Sequence, residues 1–216
     1  MKYNQELFKA IERNDLEAIK KMEKKSFFGR KRIDKLNVRN QNRLSPLAYA
    51  LDNDKDEIAV WLIEHGAKIN TNIRGEHLLS DAIAKNKIEI AGLLIDKGAD
   101  MNVRRTGDYS LQFEPVLVYA IRKKFYEMAK MMIVKGANVN IRDNEGYTPL
   151  LRAVINNNVE IATLLLYAGA DINATNFIAP DAPFLFDAYS SKTPLRIAKM
   201  CNYQEIIDLL NSKQAK

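Results

Sequence analysis

The chain has 216 residues, of which 47% are hydrophobic and 28% are charged, and it carries a formal net charge of +6. This composition excludes an intrinsically disordered chain, and no apolar run is long enough to predict a membrane-spanning helix. The charged N-terminal stretch does not fit a secretory signal peptide. The single cysteine, Cys201, rules out an intramolecular disulfide, so we expect a cytoplasmic protein.

A leucine–alanine–glutamate pattern recurs six times along the chain, with the alanine three residues and the glutamate ten residues after the leucine. The six sets are Leu7, Ala10, Glu17; Leu47, Ala50, Glu57; Leu79, Ala82, Glu89; Leu117, Ala120, Glu127; Leu150, Ala153, Glu160; and Leu195, Ala198, Glu205. Leucine and alanine share one face of a first helix, and the glutamate suits the first turn of a second helix. The pattern predicts six pairs of short antiparallel helices.

Further residues mark where these helices begin and end. A hydroxyl residue followed by proline predicts a helix start at Ser45, Thr148 and Thr193. Each first helix is predicted to stop at a residue that tolerates the left-handed conformation. The fourth repeat has Lys124 at this position, and the other five have asparagine or aspartate: Asn14, Asp54, Asn86, Asn157 and Asn202. Glycines predict the ends of four second helices, at Gly66, Gly98, Gly136 and Gly169.

The segment 143–174 carries these signals together and closely resembles an ankyrin repeat. The resemblance covers essentially the whole chain and implies an all-α ankyrin-repeat solenoid of helix-turn-helix repeats with short β-hairpin fingers. It implies one domain, 1–216, with repeats at about 4–36, 37–69, 70–102, 103–140, 141–173 and 174–216, of which the first and last read as caps. Two departures, at His77 and Pro115, replace the usual Thr-Pro and soften two helix starts.

The spacing between framework leucines is uneven, which predicts three insertions: 24–35, 103–115 and 174–192. In a repeat protein, function usually depends on what varies between the repeats. Aromatic and arginine side chains in the last two insertions predict a partner-binding surface on the fingers and on the concave face of the first helices. It includes Tyr147 of the finger between the two insertions and the cations at the end of the fourth repeat's first helix. Its residues are Arg104, Arg105, Tyr109, Phe113, Arg122, Lys123, Tyr147, Phe177, Phe184, Phe186 and Tyr189. Alternatively, the aromatic side chains pack on one another and on helix ends as a private core.

The excess positive charge is concentrated near the first insertion. The window 20–35 holds eight basic and two acidic residues, so it accounts for the whole net charge of +6. The basic residues are Lys20, Lys21, Lys24, Lys25, Arg30, Lys31, Arg32 and Lys35. An alternative function is therefore electrostatic docking of this first repeat to nucleic acid or to an anionic lipid membrane.

No catalytic, metal or cofactor site is predicted. The two histidines, His65 and His77, have no cysteine or carboxylate at metal-ligand spacing, and Cys201 has no activating neighbour. We therefore expect a non-catalytic, monomeric protein-interaction module that serves as an adaptor or inhibitor. Small bacterial ankyrin proteins that it resembles include effectors delivered to a host cytosol.

Overall fold

The computed structural model describes residues 2–25, 36–73, 76–106, 112–176 and 192–214. Within these ranges twelve helices and two short hairpins follow the order expected from the sequence. The helices are Lys2–Glu12 (α1), Leu16–Lys25 (α2), Pro46–Asp52 (α3), Asp56–Glu64 (α4), Leu78–Ala84 (α5), Ile88–Asp96 (α6), Val116–Arg122 (α7), Tyr126–Val134 (α8), Pro149–Ile155 (α9), Val159–Tyr167 (α10), Pro194–Met200 (α11) and Gln204–Gln214 (α12). The strands are Asn72–Ile73 (β1), Glu76–His77 (β2), Arg104–Thr106 (β3) and Gln112–Pro115 (β4). The predicted helix pairs are confirmed.

Three of the first helices start as the hydroxyl–proline pairs predict. The side-chain oxygens of Ser45, Thr148 and Thr193 accept backbone hydrogen bonds at 3.1, 3.3 and 3.4 Å from the residue three positions later. At the two departures, His77 and Pro115 occupy the N-cap without a side-chain hydrogen bond. These two helices therefore begin without the side-chain cap of the other three, and their first N–H groups bond to the carbonyls of Thr71 and Val103 instead.

Removal of one N-cap oxygen tests this assignment. Thr148 is buried and its oxygen serves the backbone N–H of Leu151, so Thr148→Ala should lower the free energy of unfolding by about 1 kcal/mol (range about 0.5–2). Chemical denaturation of the variant measures this loss. Thr148→Ser keeps the oxygen and should lose less, and equal losses in both variants would contradict a capping role.

The helices end at residues in the left-handed conformation, as predicted. The second residue after each first helix has a φ between 52° and 62° in all six repeats, including Lys124, which has no side-chain preference for this region. The glycines that end the second helices have φ values of 86° to 88°. The positive φ at these positions ends the helix before each of them and turns the chain toward the next element.

The chain divides into two compact units, residues 1–100 and 101–216. The boundary lies close to the predicted junction of the third and fourth repeats at 102, and the single domain of the sequence analysis stays a prediction. In the first unit α3 packs against α1, α4 and α5, and α4 packs against α6. In the second unit α9 packs against α7, α10 and α11, and α10 packs against α8 and α12.

The framework leucines and alanines make up the core between the stacked helices. Leu7, Leu47 and Leu150 are fully buried, and all six framework alanines are buried as well. Only Leu195, in the last repeat, is half-buried. Within the described residues no helix is long and apolar enough to cross a membrane.

Candidate protein-interaction surface

The hairpin β3–β4 confirms the finger predicted between the third and fourth repeats. Its strands are antiparallel, with Arg104 opposite Pro115 and Arg105 opposite Glu114, and the register shifts between Arg105 and Thr106. Helix α7 begins directly after β4. The hairpin therefore carries Glu114 and Arg105 to the start of the fourth repeat's first helix.

A buried ion pair fastens this hairpin to α7. Glu114 is 5% exposed, and the Arg122 guanidinium donates to both of its carboxylate oxygens, from Nε at 2.7 Å and from Nη2 at 2.6 Å. This hydrogen bond raises the pKa of Arg122 above its ordinary value. A buried carboxylate without a partner would lower the stability of the fold, so the main role of the Arg122 guanidinium is to neutralise Glu114. Arg122, predicted as a partner contact, is thus committed mainly to an internal pair.

Three cationic side chains surround the ring of Tyr119 in α7. The distance to the ring centroid is 4.2 Å from the Arg105 guanidinium carbon, 5.6 Å from that of Arg122 and 5.9 Å from the Lys123 ammonium nitrogen. We name Arg105, Tyr119, Arg122 and Lys123 the basic–aromatic cluster. The structure thus brings together three of the sequence-predicted residues. Each cation can gain from the ring, and Lys123 is exposed at the helix end.

Sequence reasoning missed Tyr119. The signal in the sequence was an aromatic residue two positions after the framework leucine Leu117, in the helix that directly follows the finger. Tyr119 is 7% exposed, so it acts as a platform beneath the cations. Arg104, also predicted as a contact, is exposed on the hairpin. Together these groups present positive charge on a rigid base, an arrangement suited to a carboxylate on a partner.

Tyr147, which was predicted as an exposed partner contact, is buried. It is 1% exposed, and the Arg152 guanidinium carbon lies 4.0 Å above its ring. Its expected role as an exposed anchor is therefore wrong for this structure: the ring fills the core beneath its finger, because burial of a large aromatic side chain stabilises the fold more than exposure would.

A second ion-pair network lies beside Tyr147. Nη2 of Arg152 lies 2.6 Å from Asp143 Oδ2 and 2.7 Å from Glu145 Oε2, and Asp143 Oδ1 accepts from two backbone N–H groups. A cavity of about 10 Å³ beside Glu114 and these side chains is large enough for one water molecule. The network fixes the turn before α9 and leaves little room for a ligand.

Several predicted residues lie outside the described ranges. These are Tyr109, Phe177, Phe184, Phe186 and Tyr189 of the fingers, and Arg30, Lys31, Arg32 and Lys35 of the basic window. Phe113 lies in β4, and Lys24 and Lys25 end α2. Lys20 pairs with Glu17 at 2.7 Å, while Lys21 is exposed. Docking of this window to nucleic acid or lipid stays a prediction.

The histidines and the cysteine occupy structural positions. The His65 ring stacks on Trp61 at 3.9 Å, and its Nδ1 lies 2.7 Å from the Trp61 carbonyl oxygen. His77 occupies the N-cap position of α5, and Cys201 occupies the C-cap position of α11. Across the described residues, no group of three or more histidine, cysteine, aspartate or glutamate side chains could hold a metal ion.

Solved structures of other proteins share this fold over nearly the whole chain. An ankyrin repeat domain from Acinetobacter baumannii is 27% identical, with a TM-score of 0.68 over 96% of this chain and 97% of that one. The ankyrin repeat domain of Bcl-3, a member of the IkappaB family, is 22% identical, with a TM-score of 0.63 over 96% and 85%. A chain from the complex of a Bdellovibrio bacteriovorus predatory endopeptidase with an immunity protein is 22% identical, with a TM-score of 0.60 over 96% and 97%.

The sequence comparisons are consistent with the fold. No curated protein matches the chain significantly. The family model for ankyrin repeats, which spans three copies, matches residues 7–105 and 108–176. These two matches cover well over half of the sequence and include the framework of the first five repeats. The chain therefore belongs to the ankyrin repeat family.

Proposed function

We propose that the protein is a non-catalytic interaction module, an adaptor or inhibitor, which binds a partner protein through the finger and helix end that carry the basic–aromatic cluster. The observation that carries the proposal is the convergence of Arg105 and Lys123 on Tyr119. The family and its neighbours support a binding role, since one of them comes from a complex between an endopeptidase and an immunity protein.

The chemistry of the cluster favours an acidic segment on the partner. Arginine and tyrosine are enriched among residues that dominate binding energy, particularly where the side chains are held in place before binding. Here the Glu114–Arg122 pair holds the hairpin against α7, so Arg105 is positioned by the fold. A partner carboxylate would bind cationic side chains that the fold already holds in place, so less side-chain entropy is lost on binding.

Reversal of the exposed lysine tests this surface. Lys123→Glu should weaken binding of the partner by tenfold or more, because a repulsive charge replaces an attractive one at a contact site. The partner is first isolated on the wild-type protein and identified by mass spectrometry, and affinities are then measured by isothermal titration calorimetry. Repetition at low and high salt should show a smaller salt dependence for the variant.

Lys97→Glu is the matched control. Lys97 and Lys123 are both exposed and both follow the last residue of a helix, so the cost of a negative charge at that helix end is common to the two variants. Binding to the Lys97 variant should equal that of the wild type. Unchanged affinity of a folded Lys123→Glu protein would contradict the proposal.

The same proposal places the protein in a reducing cytosol as a monomer. Cys201 is the single cysteine of the sequence and is half-buried, which suits such a compartment. Whether that cytosol belongs to the producing cell or to a host depends on the partner that the isolation identifies.

A further inference from the structure

An open groove lies in the first unit, between α1 and the turn 39–42. Its volume is about 530 Å³, which falls in the range of about 300–1,000 Å³ typical of ligand-binding clefts. One wall is the face of α1 that carries Asn4, Gln5 and Lys9, and the other wall is the turn.

Two aromatic rings form the floor of the groove. Phe8 meets Tyr49 edge to face at 5.4 Å between ring centroids. The Tyr49 hydroxyl donates to Glu12 Oε1 at 2.7 Å, and this bond raises the pKa of Tyr49 above its ordinary value. Because both rings are held by α1 and α3, the floor is rigid before any ligand arrives.

The opposite wall is equally fixed. The backbone N–H of Arg43 donates to the Asn40 carbonyl at 3.0 Å, and the Asn40 side chain accepts from the N–H of Leu44 at 3.0 Å. The Arg39 guanidinium donates to the Arg43 carbonyl at 2.8 Å and closes the turn. This leaves the side chains of Gln41 and Asn42 exposed on the groove side.

Polar side chains in the groove have unused hydrogen-bonding capacity. Within the described part of the chain, the side chains of Asn4, Gln5, Gln41 and Asn42 make no hydrogen bond, and Lys9 makes no ion pair. A carboxamide offers both donors and an acceptor, which are the groups that match the C=O and N–H of a peptide unit. Donors and acceptors on two facing walls therefore suit an extended polypeptide backbone.

The length of the groove sets the length of the segment that it holds. Its α1 wall runs from Asn4 to Glu12, which is about 12 Å at 1.5 Å per residue. An extended chain rises about 3.3 Å per residue, so about four residues fit. Lys9 and Arg39 add two positive charges to the walls, against the single carboxylate of Glu12, which already accepts from Tyr49.

We propose that this groove binds an extended segment of about four residues from a partner protein, with its backbone held by the carboxamides and an acidic side chain held by Lys9 and Arg39. The segment lies over the Phe8–Tyr49 floor and adds a second contact to the module. The proposal rests on side chains of the first unit alone, whereas the basic–aromatic cluster lies in the second.

Selection from a random heptapeptide library displayed on phage tests the groove. The full chain is the bait, and enriched peptides are synthesised with a fluorescent label and titrated by fluorescence anisotropy. We expect the enriched peptides to share an acidic position and to bind the Gln5→Ala, Gln41→Ala, Asn42→Ala triple variant at least tenfold more weakly. Lys9→Glu should abolish the preference for the acidic position.

Asn211→Ala is the matched control, since it removes an exposed carboxamide from the last helix, outside the groove, and should leave affinity within twofold of the wild type. Thermal melts by circular dichroism establish that each variant is folded. Absence of enrichment over the bare support, or wild-type affinity of the triple variant, would overturn the proposal. If the peptides instead lose affinity for the Lys123→Glu variant, they bind at the basic–aromatic cluster and the groove is excluded as their site.

Discussion

Replacement of Arg152 by methionine is expected to lower the free energy of unfolding at neutral pH by about 3–5 kcal/mol, because it strands a buried carboxylate. The Arg152 side chain is 13% exposed and that of Asp143 is 4% exposed, so the carboxylate left behind stays largely shielded from bulk water. Methionine preserves much of the buried volume, which leaves charge as the main change. Urea denaturation of the wild type and the variant measures the difference.

The cost of this substitution should depend on pH. Burial raises the pKa of the Asp143 carboxyl above its ordinary value, and Arg152 opposes that rise. Without Arg152 the pKa of Asp143 in the folded protein rises further, whereas in the unfolded chain it stays near about 4. Between these two pKa values the folded variant keeps a proton on Asp143 that the unfolded chain releases. Stability of the variant is then lost as the pH rises through this window. The difference from the wild type should be largest above pH 7 and smaller near pH 5.

A double variant separates the charge from the packing. Asp143→Asn added to Arg152→Met removes the stranded charge while an oxygen remains to accept the backbone N–H groups of Glu145 and Tyr147. We expect it to recover part of the lost stability at neutral pH and to remove the pH dependence. A cost for Arg152→Met that is the same at pH 5 and pH 7.5 would contradict the role given to Asp143.

Leu150→Ala is expected to cost about 2–5 kcal/mol, the range measured for buried leucine truncations in other proteins. Leu150 is fully buried in α9, which packs against α7, α10 and α11, so the cavity would lie at the centre of the second unit. Chemical denaturation monitored by circular dichroism gives the value.

Val134→Ala is the control for this truncation. Val134 is 75% exposed at the end of α8, so its truncation should change the free energy of unfolding by less than about 0.5 kcal/mol. Similar losses in the two variants would mean that the assignment of core and surface positions in the repeat is wrong.

The helix framework could be predicted from the sequence because its signals are local. A cap at Thr148 needs only an oxygen three residues before an amide, and a left-handed stop at Asn157 or Gly169 needs only a residue that tolerates a positive φ. Repetition strengthened the assignment, since one register accounted for six copies. Lys124 shows the strength of the context, because the repeat imposes the left-handed conformation on a side chain that does not favour it.

The candidate sites depended on contacts that no sequence spacing contains. Glu114 and Arg122 are eight residues apart, on a strand and on the following helix, and only the docking of the hairpin on α7 pairs them. The same docking places Arg105 on Tyr119. The groove beside α1 likewise depends on how the turn 39–42 lies against a helix some thirty residues earlier.

The sequence by itself determined the family, the helix pairs and their boundaries, since short-range hydrogen bonds and apolar periodicity encode them. Only the tertiary structure decided which polar and aromatic side chains remain available to a partner. Tyr147 and Arg122 looked like surface contacts by residue type, yet one fills the core and the other neutralises a buried carboxylate. The physical reason is that the cost of burying a charge, and the gain from burying a ring, depend on neighbours that meet only when the repeats stack.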